Sequence, residues 1–123
     1  MILDHIGLSV SDYAASKTFF AAALAPLGIG LVMEVNGWAG FGRAGRPQFW
    51  FGAGDGARKP MHIAFVAENR TQVRAFHEAA LRAGAQDNGP PGIRAIYHPT
   101  YYGAFVIGPD GHNVEAVCHE PEP

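Results

Sequence analysis

Apolar and polar side chains alternate at the start of the chain, in the stretch LDHIGLSV at residues 3–10. This period of two predicts a β-strand with one apolar face and one face that carries His5 among small residues. The next stretch, SDYAASKTFFAAALAPLG, changes to a helical spacing of apolar residues. Ser11 or Asp12 is placed to cap this helix, and Pro26 and Gly28 are placed to end it.

Three short β-prone runs follow the helix, GLVMEV, GWAGFG and PQFWFG, and the turns between them predict an antiparallel meander. The pattern then begins again with a second strand and helix, MHIAFVA and ENRTQVRAFHEAALRAGA. The runs IRAIY, YYGAFVIG and HNVEAVCH complete this second half. The sequence therefore predicts one α+β domain of two βαβββ modules, at about residues 1–56 and 57–119, with a short C-terminal tail.

The composition narrows the classes of partner. The 123 residues are 48% hydrophobic and 16% charged, and the formal net charge is −2. Because the chain has neither a basic run nor a basic helix face, nucleic acid and membranes are not expected as partners, and a small molecule is favoured. Cys118 is the single cysteine, which excludes an intrachain disulfide and predicts a reducing, cytoplasmic location.

Three residues in the predicted strands have the chemistry of metal ligands. His62 takes the same place in its strand as His5 does in the first, and Glu115 is a carboxylate in a strand with an otherwise buried pattern. A buried carboxylate needs a partner, and two imidazoles with one carboxylate make a facial ligand set for a divalent cation. The alternative is a buried hydrogen bond between histidine and glutamate, with the other histidine in solvent.

The motifs DHIGLSV, HIAFVA and GPDGHNVEAV, in this order, resemble the vicinal oxygen chelate superfamily. That superfamily includes glyoxalase I, bleomycin-resistance proteins, fosfomycin-resistance transferases, epimerases and extradiol dioxygenases. The resemblance covers nearly the whole chain. It implies a curled mixed sheet, formed by the two modules around a central metal cleft. It also implies a homodimer and a divalent metal ion (Fe, Mn, Ni or Zn) held by His5, His62 and Glu115.

One ligand of the four-ligand members of that superfamily has no counterpart here. Those members carry a further ligand, usually glutamate, on the last strand of the first module, which is PQFWFG in this chain. Trp50 or Phe51 takes the equivalent place, with Gln48 nearby. The chain is therefore more similar to the three-ligand members than to glyoxalase I.

Two further groups of residues lie near the predicted cleft. His98, Tyr101 and Tyr102 stand where the resembled superfamily commonly keeps acid/base and substrate-contacting groups. A histidine there can shuttle a proton and a phenol can bind an oxyanion, whereas a tyrosine that only packs needs one partner for its hydroxyl. We expect one of the three to be functional. The second group consists of four aromatic residues, Trp38, Phe49, Trp50 and Phe51. A role in the core or at a dimer interface is favoured for them over a role in lining a pocket.

The resemblance implies a metal-dependent enzyme that acts on a small oxygen-chelating substrate. A lyase or isomerase reaction is ranked above a dioxygenase reaction, because the usual large extradiol dioxygenases have two such paired domains. Two alternatives stay open, a non-catalytic drug-binding protein similar to bleomycin-resistance proteins and a fosfomycin-type thiol transferase.

Overall fold

The computed structural model describes residues 3–54 and 59–122. The first half of the chain forms a strand, a helix and three further strands, as the pattern predicts. Their bounds are β1 Ile6–Val10, α1 Tyr13–Leu24, β2 Gly30–Val35, β3 Trp38–Arg43 and β4 Arg46–Ala53. Of the two predicted caps of α1, Asp12 is the one used, because its carboxylate accepts a hydrogen bond from Ala15 N–H at 2.9 Å. A single 3₁₀ turn extends the helix to Gly28, whose φ of 75° reverses the chain.

The second half repeats the order, with four strands instead of three after its helix. Its elements are β5 His62–Val66, α2 Arg70–Arg82, β6 Gln86–Asp87, β7 Gly92–Ile93, β8 Tyr102–Ile107 and β9 Asn113–Cys118. The predicted strand IRAIY is wrong beyond Ile93, since the chain turns there and leaves Ile96 86% exposed. The turn forms because the backbone N–H groups of Tyr97 and His98 both donate to the carbonyl of Arg94.

The strands form two open mixed sheets, with the order β1-β4-β3-β2 in the first and β5-β9-β8-β6 in the second, where β7 also pairs with β8. Strand β1 runs parallel to β4, and β5 runs parallel to β9. This confirms the predicted α+β class. The predicted module boundary at residues 56 and 57 lies outside the described residues.

The helices cover one face of the sheets and leave the other face open. The core between helices and sheets is aromatic, with ring centroids 4.9 Å apart for Phe20 and Phe49 and 5.3 Å apart for Phe20 and Phe51. Because side chains alternate along β4, Trp50 points to the opposite, open face.

Among the described residues, no helix has the length and apolar character needed to cross a membrane. The cytoplasmic location stays a prediction.

Candidate functional site

His62 and Glu115 meet on the open face of the second sheet. Strands β5 and β9 are neighbours, and their register places Ala64 opposite Glu115 and His62 two residues away on the same face. The two side chains are joined by a contact of 2.8 Å between His62 Nε2 and Glu115 Oε1. The Glu115 side chain is only 1% exposed, whereas the imidazole of His62 is 52% exposed. The pair therefore has a buried carboxyl end and an imidazole end that is open to solvent.

Tyr101 donates a hydrogen bond to the other oxygen of Glu115, Oε2. Gly103 makes room for this contact, since a Cβ at this position would lie 3.1 Å from Oε2 and 3.2 Å from Tyr101 Cε1. Burial, and next the hydrogen bond to Glu115, raise the pKa of the Tyr101 phenol well above its ordinary value. Tyr101 therefore keeps its proton and acts as a permanent donor to the carboxylate.

The other two acid/base candidates lie away from Glu115. Tyr102 follows Tyr101 in the chain and points to the helix side, where its hydroxyl accepts a hydrogen bond from Arg74 at 3.2 Å. His98 lies in the turn before β8, and its Nδ1 accepts a hydrogen bond from Thr100 N–H at 3.2 Å. Of the three candidates, the structure brings Tyr101 to the carboxylate and leaves the other two on separate contacts.

His5 lies immediately before β1, at the open face of the first sheet. Its Nδ1 is 2.8 Å from the carboxylate of Asp4, and the two side chains are 60% and 87% exposed. Because Asp4 engages Nδ1, Nε2 is the nitrogen left for a ligand. His5 and His62 both line a cavity of about 300 Å³ between the two sheets. Within residues 3–54 and 59–122, however, no three His, Cys, Asp or Glu side chains lie close enough together to hold a metal ion.

The comparison with known proteins agrees with the fold. A sequence profile of the Glyoxalase/Bleomycin resistance protein/Dioxygenase superfamily matches residues 2–116. The chain belongs to this superfamily. No curated protein matches it.

Solved structures of the same superfamily are similar over nearly the full chain. A glyoxalase/bleomycin resistance protein from Albidiferax ferrireducens T118 has a TM-score of 0.84 at 26% identity, covering 96% of this chain and 99% of its own. A glyoxalase-related enzyme from Fulvimarina pelagi has a TM-score of 0.70 at 19% identity, covering 96% and 87%. A glyoxalase/bleomycin resistance protein/dioxygenase family enzyme from Burkholderia phytofirmans PsJN has a TM-score of 0.73 at 14% identity, covering 95% and 98%.

The strand register shows which residue of the first sheet is the counterpart of Glu115 in the second sheet. Gly7 lies opposite Trp50 in the first sheet, as Ala64 lies opposite Glu115 in the second. The counterpart of Glu115 is therefore Trp50, because Phe51 points into the core and is fully buried. An indole therefore takes the place in the first sheet that the carboxylate takes in the second.

Phe105 also lies on this face, although alternation along its own strand does not mark it as a site residue. It lies directly opposite Glu115 on the neighbouring strand, and its ring centroid is 6.0 Å from that of His62. Alternation along YYGAFVIG already places Tyr101 and Phe105 on one face. Only the pairing of β8 with β9 brings these side chains next to Glu115, and the periodicity of a single strand does not specify that pairing.

Replacing Tyr101 with phenylalanine is expected to leave the buried Oε2 of Glu115 without its donor and to destabilise the protein by about 1–3 kcal/mol near neutral pH. The pKa of Tyr101 is higher in the native state than its ordinary value of 10.0. The contribution of the protonated phenol to stability is therefore fully present below pH 10 and is lost as the pH rises through the native pKa. The stability difference between wild type and Tyr101→Phe should therefore shrink above pH 10 in urea unfolding curves. A difference that stays constant with pH would contradict this assignment.

Proposed function

We propose that the chain is a divalent-metal-dependent enzyme of the superfamily, of the lyase/isomerase or dioxygenase type, acting on a small oxygen-chelating substrate. The supporting observation is the buried side chain of Glu115, which is 1% exposed and bonded to a half-exposed imidazole. Taking a carboxylate out of water is costly unless a charge and hydrogen bonds compensate it. A cation that reaches His62 from the open face would supply that charge.

The donor set fits such an ion. Imidazole nitrogen together with carboxylate oxygen suits Fe, Mn, Ni or Zn, and the ligands would be His62, Glu115 and His5. When bound, the ion would polarise the adjacent oxygens of a substrate and stabilise negative charge on them. Tyr101 would hold Oε2 of Glu115 and so leave Oε1, the oxygen beside His62, for ligation. His98 stays a candidate for moving a proton.

We infer that the third ligand comes from a second copy of the chain, which makes the protein a homodimer with shared sites. Two observations support this arrangement. His5 is 60% exposed at the open face of the first sheet, and although it lines one cavity with His62, the described part of one chain contains no group of three ligands. A two-fold pair of chains would place the open face of one first sheet against the open face of the other chain's second sheet, twice.

Metal analysis of protein purified without chelator tests the enzymatic proposal. Wild type should retain about one divalent ion per chain, and His62→Ala should retain almost none, because the variant removes one of two adjacent ligands. His77→Ala is the matched control, since it removes an imidazole on α2 that instead contacts Asp87. If wild type holds no more metal than His62→Ala, the chain is better described as a non-catalytic drug-binding protein.

A mixing experiment tests the shared site. Neither His5→Ala nor His62→Ala has a complete ligand set, but a hybrid dimer of the two contains one intact set. Refolding an equal mixture should restore about a quarter of the wild-type sites, because half of randomly paired dimers are hybrids with one intact site each. A mixture that binds no more metal than the separate variants would exclude sharing, even if wild type binds the ion.

The reaction type is then decided with metal-loaded protein. A thiol transferase would consume a thiol cosubstrate and a dioxygenase would consume dioxygen, whereas a lyase or isomerase needs neither. Measuring thiol loss and oxygen uptake in the presence of candidate substrates separates the three classes. Activity without either co-reactant would support the lyase or isomerase assignment.

A further inference from the structure

Two arginines lie one turn apart at the start of α2, on the side of the second sheet that is opposite its open face. Arg70 is the first residue of the helix and Arg74 follows four residues later, and the first turn contains no acidic residue. The N-terminal end of a helix carries partial positive charge, so cations are unfavourable there, and like charges four residues apart also repel each other. The helix therefore begins with two charges that an anion would stabilise.

Both guanidinium groups lie over the same aromatic ring. The Cζ atoms of Arg70 and Arg74 are 4.9 Å and 5.8 Å from the ring centroid of Tyr102 on β8. Arg74 also donates hydrogen bonds to the hydroxyl of Tyr102 and to Oγ1 of Thr71, each at 3.2 Å. These contacts hold the two positive charges near one another, so less side-chain freedom is lost when a ligand binds them.

The charges at the start of α2 do not balance. Within the described residues, the one carboxylate that pairs with either arginine is that of Glu122, whose Oε1 lies 3.4 Å from Arg74 Nη2. Both partners of this pair are about half exposed. The Nε atom of Arg70 is buried and has no hydrogen-bond partner among the described residues. A buried donor without an acceptor is costly, so two guanidinium groups and one carboxylate leave both a charge and a donor uncompensated.

We propose that Arg70, Arg74 and Tyr102 form a binding site for the phosphate group of a small soluble molecule. A phosphate dianion matches the two positive charges, and its oxygens can accept hydrogen bonds from both guanidinium groups, whereas one carboxylate balances a single charge. Glu122 is a replaceable occupant of this site, because an exposed ion pair contributes little stability.

The phosphate site is separate from the proposed metal site. Tyr101 donates to Glu115 on the open face, whereas Tyr102, the next residue, points to the helix side and contacts Arg74. Phosphate binding at the start of α2 therefore needs neither the metal ion nor a second copy of the chain.

Titration with inorganic phosphate at about pH 8, where its second proton is lost, tests the proposal. Ionic strength is held constant, and acetate serves as the singly charged probe. Phosphate should bind about tenfold or more tightly than acetate and should shift the Nε–H resonances of Arg70 and Arg74 in NMR spectra. Equal binding of the two anions, or phosphate binding that leaves both resonances in place, would overturn the proposal.

Four variants locate the phosphate. Arg70→Gln and Arg74→Gln should each weaken its binding about tenfold, because each loses one charged donor. Arg82→Gln is the matched control, since this arginine lies on the same helix but pairs with Glu78, and it should bind as wild type does. Glu122→Gln should bind phosphate about two- to fivefold more tightly, because it removes the competing carboxylate. Unchanged affinity in Glu122→Gln would overturn the placement of the phosphate at Arg74, and circular dichroism checks that all variants are folded.

Two further measurements exclude other sources of phosphate binding. His62→Ala should lose metal and still bind phosphate as wild type does, so an equal loss of both would assign the phosphate to the metal site and overturn the proposal. Phosphatidylcholine vesicles that contain phosphatidic acid test a lipid headgroup as the source of the phosphate. Binding to these vesicles that free phosphate does not compete away would overturn the assignment to a small soluble molecule.

Discussion

Replacing Glu115 with glutamine is expected to lower the affinity for divalent metal by about 100-fold or more. The substitution keeps the size of the side chain, so the fit between β5, β8 and β9 is preserved, but it removes the negative charge that a cation needs. An amide can still form hydrogen bonds with His62 and Tyr101 through its oxygen and nitrogen. The expected loss therefore reports on the charge of the ligand and not on packing.

Metal titration of wild type and Glu115→Gln with Zn²⁺ and Ni²⁺ measures this effect. Glu120→Gln is the matched control, because Glu120 is exposed beyond the end of β9 and its contacts to Cys118 are made by backbone atoms. Circular dichroism should show both variants folded. Unchanged affinity in Glu115→Gln would mean that Glu115 serves only as a buried hydrogen-bond acceptor, which is the alternative that the sequence left open.

Phe51→Ala is expected to destabilise the protein by about 3–5 kcal/mol. Phe51 is fully buried on β4, between its neighbours β1 and β3 in the first sheet. Its ring lies 5.3–6.0 Å, centroid to centroid, from four other rings, and truncation would leave a cavity that these rings cannot all close. The four rings are those of Tyr13, Phe20, Phe41 and Phe49.

Urea unfolding of Phe51→Ala and a surface control checks the size of this loss. Met33→Ala on β2 also shortens an apolar side chain of the first sheet, but Met33 is 44% exposed and the expected change is within about 0.5 kcal/mol. Similar losses in the two variants would contradict the assignment of Phe51 to the core. If Phe51→Ala loses stability while the folded variant keeps its metal affinity, the core of the first sheet contributes to stability and not to metal binding.

Most of the local structure could be predicted from the chain, because each element depends on neighbouring residues. The alternation around His5 and His62 gave two strands, and the helices begin at Asp12 and Asn69, whose side chains accept backbone hydrogen bonds. The strand predicted at IRAIY was wrong beyond Ile93, because backbone donors there turn back to the Arg94 carbonyl. Periodicity over five residues does not distinguish such a turn from a strand.

The sequence by itself determined the repeated order of elements, the superfamily and the residues that share a face within one strand. The tertiary structure decided which faces meet. It placed Tyr101 on Glu115, made Trp50 the counterpart of that carboxylate, and left His5 immediately before β1 of the other sheet. The physical reason is that side-chain alternation is a local property of the backbone, whereas strand register and the placement of one sheet beside another depend on contacts between residues far apart in the chain.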